Sequence, residues 1–326
     1  MRCPNRILLA LLLVLTLPIP ARADKYAGEF LKLGVGARAL GMGGAFVGLS
    51  DDATAMYWNP AGLGFLTRRQ LLPAHSEEFG QVLNYDYLGF VQPLSPRETL
   101  GFAVVRLSLD NIPLTDSLRT QPGPGGLPVP IYDEGRLIYT SDSEMALLMS
   151  YGRVVSRRLN LGLTVKLIRQ SVAEHSSFGF GADVGAIYTP SPSVSFGLAL
   201  HDAFGTFLNW DTGRHERISP SLRAGTAITR GIGQDHLVTL AGDVYLTFDN
   251  RRTFSQFSTG KVGGEFHTGA EYWYRRTLAL RAGFNHGNFT AGAGGRRGRF
   301  ALDYAFISNS NAGLDNTQRI SGSFEF

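Results

Sequence analysis

The sequence predicts an all-β membrane protein, a 14-stranded antiparallel transmembrane β-barrel with a small N-terminal hatch or plug. Three observations carry that prediction. From residue 67 onward the chain resolves into strand-length segments of period-two alternation, parted by turn-forming residues. No apolar stretch reaches the ~20 residues of a spanning helix, so any membrane crossing is by strands. The chain also stops on a strand, Gln318 to Phe326, with Ile320, Gly322, Phe324 and Phe326 on one face and Arg319, Ser321, Ser323 and Glu325 on the other. Terminal residues of soluble proteins usually fray, whereas a barrel pairs its last strand with its first to leave no open edge in lipid. Phe324 and Phe326 are therefore assigned to barrel closure.

Residues 1–23 read as a signal peptide for Sec-type export. Arg2 and Arg6 precede an apolar core from Ile7 to Ile19, and Ala21-Arg22-Ala23 fits a small-x-small cleavage site. Cleavage removes three arginines and no acid, lowering the formal charge from +4 to +1. With Lys and Arg scattered singly, such a chain lacks the clustered basic face of a nucleic-acid binder. The one cysteine, Cys3, leaves with the signal, so neither a disulfide nor a thiolate metal site is expected in the mature chain. Cys3 precedes the apolar core instead of following the cleavage site, which argues against a lipid anchor.

A mean hydropathy of −0.02 with 40 glycines does not separate soluble from membrane barrels, because only every second strand residue faces lipid. Periodicity does better. Candidate strands in the first half of the barrel, which spans residues 67–326, are 67–76, 82–93, 97–108, 139–153, 159–172, 177–189 and 193–204. Those of the second half are 218–230, 236–248, 261–274, 276–286, 288–296, 298–308 and 316–326. The clearest sets Leu161, Leu163, Val165 and Leu167 against Gly162, Thr164 and Lys166. Val194, Phe196, Leu198 and Leu200 oppose Ser193, Ser195, Gly197 and Ala199 in the same way. An even count suits a single-chain bacterial barrel, and the connections agree with it. The turns on one side, such as Leu94-Ser95-Pro96 and Pro190-Ser191-Pro192, are short, while 109–138, 205–217, 249–260 and 309–315 fall on the other.

A soluble lipocalin-like barrel has the same period with its faces inverted. The high strand count, the terminal Phe and the placement of Lys166, Asp243, Arg281 and Glu325 on the less apolar face favour lipid outside, since an inverted barrel would bury those charges. Tyr272-Trp273-Tyr274 sits where an interfacial aromatic belt is expected, although buried aromatics account for it equally.

Residues 24–66 do not alternate. Gly34, Gly36, Gly41, Gly43, Gly44 and Gly48 permit close backbone approach, while Ser50 or Asp51 is placed to cap a short helix over Ala53 to Tyr57, ending before Asn59-Pro60. Compact, irregular backbone at membrane depth is tolerated only where protein or a cavity surrounds it, so this segment is expected inside the lumen. Its candidate residues are Gly36, Arg38, Gly41, Gly43, Gly44, Asp51, Asp52, Trp58, Asn59, Pro60 and Gly62. Gly101 and the two-faced run Ala103-Val104-Val105 mark the third strand as a possible wall kink.

The stretch GARALGMGGAFVGLSDDATAMYWNPAGL, residues 36–63, resembles the N-terminal signature of the PorV/PorQ family, within the larger FadL-like group of outer-membrane proteins. Over residues 67–326 the likeness is architectural only. The resemblance implies a fourteen-stranded barrel in the outer membrane of a Gram-negative-type bacterium. For function it implies two alternatives. PorV-type members serve the type IX secretion system, binding exported proteins and passing them to surface attachment. FadL-type members pass hydrophobic small molecules by passive diffusion, past an N-terminal hatch and out through a kinked wall. Because the signature reads closer to PorV/PorQ, the secretion-linked role leads and hydrophobic transport is the alternative; fold does not choose between them. The Pro- and Gly-rich segment Gln121 to Pro130 is the candidate face for a secreted protein. Other expected partners are outer-membrane lipid and the outer-membrane barrel assembly machinery, because a terminal Phe resembles its recognition signal.

An enzyme is not expected. Gly34-Val35-Gly36-Ala37-Arg38-Ala39 matches G-x-G-x-x-G/A, but no βαβ unit surrounds it. The seven histidines lie apart, no serine stands in a nucleophile elbow, and Asp51-Asp52 lacks the spaced oxygens of a calcium loop. No nucleotide, metal or organic cofactor is implied.

Overall fold

The computed structural model describes residues 28–79, 82–114, 120–122, 127–130, 138–248, 255–309 and 315–326. The expected signal peptide and parts of the Gln121 to Pro130 segment lie outside them.

The wall is a closed antiparallel barrel of fourteen strands. These are β1 (Gln70–Glu78), β2 (Leu83–Ser95), β3 (Glu98–Leu114), β4 (Ile138–Ser156), β5 (Leu159–Val172), β6 (His175–Ser191) and β7 (Val194–His201). The second half comprises β8 (Ser221–Ile232), β9 (His236–Thr247), β10 (Val262–Tyr274), β11 (Leu278–Asn285), β12 (Asn288–Arg297), β13 (Phe300–Ile307) and β14 (Thr317–Glu325). Each pairs with its sequence neighbour, and β14 pairs with β1 from Gln70↔Glu325 to Glu77↔Gln318. Closure leaves the sheet without a free edge, the condition for crossing hydrocarbon.

Side-chain polarity follows the two faces. Leu163, Val165, Phe180, Phe196, Leu198, Leu240, Phe266 and Leu280 point outward and are exposed, although large and apolar. Thr164, Lys166, Asp183, Thr239, Asp243, Glu271, Arg281 and Arg319 point inward and are buried. A soluble protein would invert this distribution; here the outer face is solvated by hydrocarbon. The fold expectation holds, and no helix among the described residues is long and apolar enough to span a membrane.

Differences from the sequence reading have local causes. The 205–217 connection is not an open loop but a hairpin of Thr206–Trp210 and His215–Ile218. Its first arm continues the pairing with β6, as Phe207↔Phe180. β7 ends early because Asp202 (φ 52°) and Gly205 (φ 80°) adopt left-handed backbone that breaks the ladder. From Leu200↔Val184 to Phe207↔Phe180 the chain advances seven residues against four in β6, so three extra residues bulge from the wall. Trp273 turns inward and is buried, its ring under Arg281 and Arg296, so the aromatic triplet is not a simple belt. At Gly101, where the sequence suggested a wall kink, β3 keeps its register, with Gly101↔Val91 and Gly101↔Ser150. The missing Cβ of Gly101 makes room for Met56, whose Sδ would lie 2.5 Å away.

Phe324 and Phe326 belong to an outward row of rings that crosses the seam. Ring centroids of Phe300 and Phe324 are 4.5 Å apart, Phe324 and Phe326 5.4 Å, and Phe326 and Phe90 6.3 Å. The Phe326 N–H donates to Arg69 O at 3.0 Å. One substitution tests which solvent the wall faces. Val165→Arg, on the outward face midway along β5, is expected to cost about 2–4 kcal/mol when folding into phospholipid vesicles is titrated with guanidinium chloride. A surface site in water would shift by no more than about 0.5 kcal/mol.

Candidate functional site

The N-terminal segment fills the middle of the lumen. A 3₁₀ turn (Glu29–Lys32) leads into α1 (Ala37–Gly41), a tight turn at Gly43 and Gly44, α2 (Ala55–Trp58) and a second 3₁₀ turn (Pro60–Phe65). Residues Val35, Ala37, Met42, Ala45, Phe46, Val47, Ala53, Ala55, Met56, Ala61 and Leu63 are fully buried. Inward-facing wall glycines let this backbone lie against the strands. A Cβ on Gly162 would sit 2.2 Å from Pro60 C, one on Gly185 2.0 Å from Asn59 Oδ1, one on Gly197 2.1 Å from Val47 O, and one on Gly269 2.2 Å from Met42 O. Gly43 itself has φ 65°, and its Cβ would strike the carbonyls of Phe284 and Thr268 at 2.5 Å.

Because α1 and α2 are too short to satisfy their own backbone, wall side chains do so. Ser321 Oγ accepts from Ala37 N at 3.1 Å, Thr290 Oγ1 donates to Gly41 O at 3.2 Å, and Thr164 Oγ1 donates to Met56 O at 3.1 Å. The Asp243 carboxylate accepts from Phe46 N and Val47 N at 2.8 and 2.9 Å. Arg223 donates to Gly44 O, Ser195 to Gly48 O, Tyr87 to Ala53 O and Arg319 to Gly34 O. His267 Nδ1 lies 3.0 Å from Gly43 O, which requires the proton on Nδ1.

The candidate residues fall into place around this framework. Arg38 forms a two-pronged pair with Glu271, Nε and Nη2 donating at 2.8 and 2.9 Å, and its Nη1 donates to Asp51 at 2.5 Å. Glu271 also accepts from Arg281 Nε at 2.7 Å, and Arg281 Nη1 reaches Asp303 at 2.8 Å. The result is a nearly buried line of alternating charge from the segment into β10, β11 and β13. Asp52 lies 3.6 Å from Arg38 and folds the turn before α2, accepting from Thr54 N and Oγ1 at 2.8 and 2.5 Å. The expected caps do otherwise: Ser50 donates to Phe46 O, and Asp51 pairs with Arg38. Asn59 accepts from Ala61 N and donates to Val47 O and Ala186 O, fixing the turn at Pro60 to both segment and wall. Trp58 Nε1 donates to Val35 O at 3.0 Å. Gly36 (φ 80°) faces Thr54, Gly41 ends α1, and Gly62 packs on Ser50 O.

Two cavities flank the segment. On the long-loop side lies one of about 550 Å³, lined by Leu31, Leu33, Leu40, Tyr57, Trp58, Leu148 and Ile218, with Arg223, Glu265, His267 and His286 among its polar groups. Arg223 is held between the rings of Trp58 and Tyr245, each 4.9 Å away. His286, in the turn between β11 and β12, has its pKa raised by the Glu265 carboxylate 3.5 Å away. The wall bulge borders this cavity: Asp202 turns inward, and Lys166 Nζ lies 2.6 Å from it and 2.7 Å from Asp183. On the short-turn side a second cavity of about 510 Å³ is mostly polar, lined by Arg38, Asp51, Asp52, Glu271, Arg276, Arg296 and Glu325.

Sequence reasoning assigned none of the wall groups Arg223, His267, Glu271 and Arg319 to this site. Their signal was a charge or imidazole on the less apolar face of a strand, but their partners lie as far as 285 positions away.

With this geometry the class of structure is defined: a membrane barrel whose lumen is filled by its own N-terminal segment. No family model and no curated protein matches the chain. Among solved structures, the toluene transporter TodX of P. putida superposes with a TM-score of 0.63 at 12% identity, covering 90% of this chain and 99% of that one. The Ralstonia pickettii toluene transporter TbuX gives 0.59 at 14%, over 90% and 98%. A Pseudomonas aeruginosa FadL homologue gives 0.53 at 12%, over 90% and 98%. The barrel fold is therefore FadL-like.

The charge line has a measurable consequence. Glu271→Leu leaves the Arg38 and Arg281 guanidiniums buried without their shared acceptor, and is expected to lower unfolding free energy in detergent by about 3–5 kcal/mol. Arg68→Gln, which removes an exposed 3.7 Å pair with Glu325, is expected to change it by less than about 1 kcal/mol.

Proposed function

We propose that the protein is a passive outer-membrane channel for hydrophobic small molecules, with residues 24–66 as its hatch. One observation carries the reading: a cavity on the long-loop side whose surface is mostly apolar although charged groups border it, stopped beneath by the N-terminal segment, with a mostly polar cavity under the stop. A volume of about 550 Å³ is in the range that holds a small organic ligand, roughly 300–1,000 Å³. A ligand that shed water to enter it would not move readily into the polar cavity below, which favours sideways departure through the wall. The bulge between His201 and Thr206 is the place for such a departure, since it borders the cavity and its neighbour is also interrupted, at Ser219-Pro220.

The likeness to proteins described as toluene transporters supports this reading over the secretion-linked one, which rested on the resemblance of residues 36–63. It also speaks for a non-enzymatic protein. Export from the cell's interior by the first 23 residues, assembly by the outer-membrane machinery and contact with lipid belong to the same proposal.

Liposomes carrying the purified protein are expected to take up toluene or long-chain fatty acids at least several-fold faster than empty ones; equal rates would remove the proposal. Leu33→Asp places a charge in the cavity at a partly exposed position. It is expected to cut that uptake several-fold while the unboiled protein still migrates as a folded barrel. Recovery of signal-domain proteins from native membranes together with inert liposomes would return the secretion reading to first place.

A further inference from the structure

The short-turn end of the barrel carries an arginine girdle. The segments 67–70, 94–98, 153–159, 190–193, 230–236, 274–278, 296–300 and 323–326 hold twelve arginines, no lysine and three acids, Glu98, Asp235 and Glu325. All twelve are exposed. The opposite end differs: outer segments 79–82, 109–137, 173–174, 202–220, 248–261, 286–287 and 308–316 carry seven Arg or Lys against ten Asp or Glu. A chain whose formal charge is only +4 thus concentrates its positive charge at one rim.

The positions of the side chains say what the girdle meets. Arg153, Arg230 and Arg297 stand within the last four residues of strands β4, β8 and β12 on the outward register, for their same-face predecessors and partners are lipid-facing: Ile228 precedes Arg230, Leu161 pairs with Arg153, and Phe300 pairs with Arg297. Only one further outward apolar residue, Val155 or Ile232, follows Arg153 and Arg230 toward the rim, and none follows Arg297 in its strand, so the three guanidiniums lie near the edge of the apolar band with aliphatic stems against hydrocarbon. Arg68, Arg276 and Arg296 line the inner cavity instead. A soluble polyanion would need no alignment with the apolar band, whereas a phospholipid meets both at once. The planar fork of arginine pairs bidentately with phosphate, which suits an all-arginine rim.

We propose that this girdle binds the phosphate headgroups of anionic phospholipids in the membrane leaflet at the short-turn end, through the outward set Arg153, Arg230 and Arg297. This rests on the barrel spanning a membrane, not on what the lumen carries.

The test uses the whole protein in neutral detergent, titrated with phosphatidylglycerol or phosphatidylcholine of equal chain length and followed by native mass spectrometry. An attraction of ~1 kcal/mol per basic residue at an anionic surface converts to about fivefold in affinity. Phosphatidylglycerol is therefore expected to be retained at least fivefold more than phosphatidylcholine, and the preference should shrink at 1 M salt. Arg153→Gln, Arg230→Gln and Arg297→Gln together should abolish the preference, while Arg68→Gln, Arg276→Gln and Arg296→Gln together should keep it. Equal retention of the two lipids by the native protein overturns the proposal, whatever the variants do. So does loss of the preference only in the cavity-lining set, or inorganic polyphosphate binding without a phosphatidylglycerol preference. If the outward variant fails to fold, the native comparison with its salt dependence decides. Toluene flux measured on the same preparation reports the channel reading separately.

Discussion

Irregular backbone cannot stand in hydrocarbon, and this protein places about thirty residues of it at the level of its wall. Every exposed peptide group of that segment must find a partner inside the barrel, because no bilayer component can supply one. The inward faces of the strands are arranged to that end. Asp243 answers the turn at Phe46 and Val47, Ser321 the start of α1, Arg223 and His267 the turn at Gly43-Gly44, and Asn59 joins segment to wall in the other direction. Small wall positions such as Gly162, Gly185 and Gly197 let backbone approach backbone. A side chain at any of these sites would hold the segment off and open gaps that its short helices cannot close.

The same requirement accounts for the buried charges. Arg38, Glu271, Arg281 and Asp303 would each be costly alone at this depth, and together they form a line in which nearly every charge has two opposite neighbours. The line ties the segment to β10, β11 and β13 on the short-turn side, where the cavity is polar. On the other side the segment presents Leu31, Leu33, Leu40 and Trp58 to the larger cavity. The segment thus has a charged underside and a more apolar upper side, where Glu29 and Lys32 are the charged groups it presents to the cavity. That difference, more than the barrel around it, gives the lumen a direction.

Much of the fold was legible because a barrel's solvent boundary repeats at every second residue. The alternation of Leu161 to Leu167 identified β5, and that of Val194 to Leu200 identified β7, without knowledge of any neighbour. Irregularity was legible only as composition. The glycines and Asn59-Pro60 marked residues 24–66 as a non-strand, but nothing local showed that Arg38 would meet Glu271 or that Asp52 would fold the turn before α2. Gly101 illustrates the limit: a glycine within a strand reads equally as a kink or as room for a neighbour, and only the folded chain brings Met56 against it. The triplet Tyr272-Trp273-Tyr274 stayed open between a belt and buried aromatics for a related reason, since its sequence does not say which member faces inward, as Trp273 does.

By itself, then, the sequence determined the number of strands, the face each turns to lipid and the existence of a compact segment ahead of them, because these follow from local periodicity and backbone preference. Only the tertiary structure decided where the wall departs from its ladder, which strand residues hold the segment, and that two cavities of opposite character lie on either side of it. Those features arise where strands distant in the chain converge on one lumen, and period-two alternation carries no information about which of them will be neighbours across it.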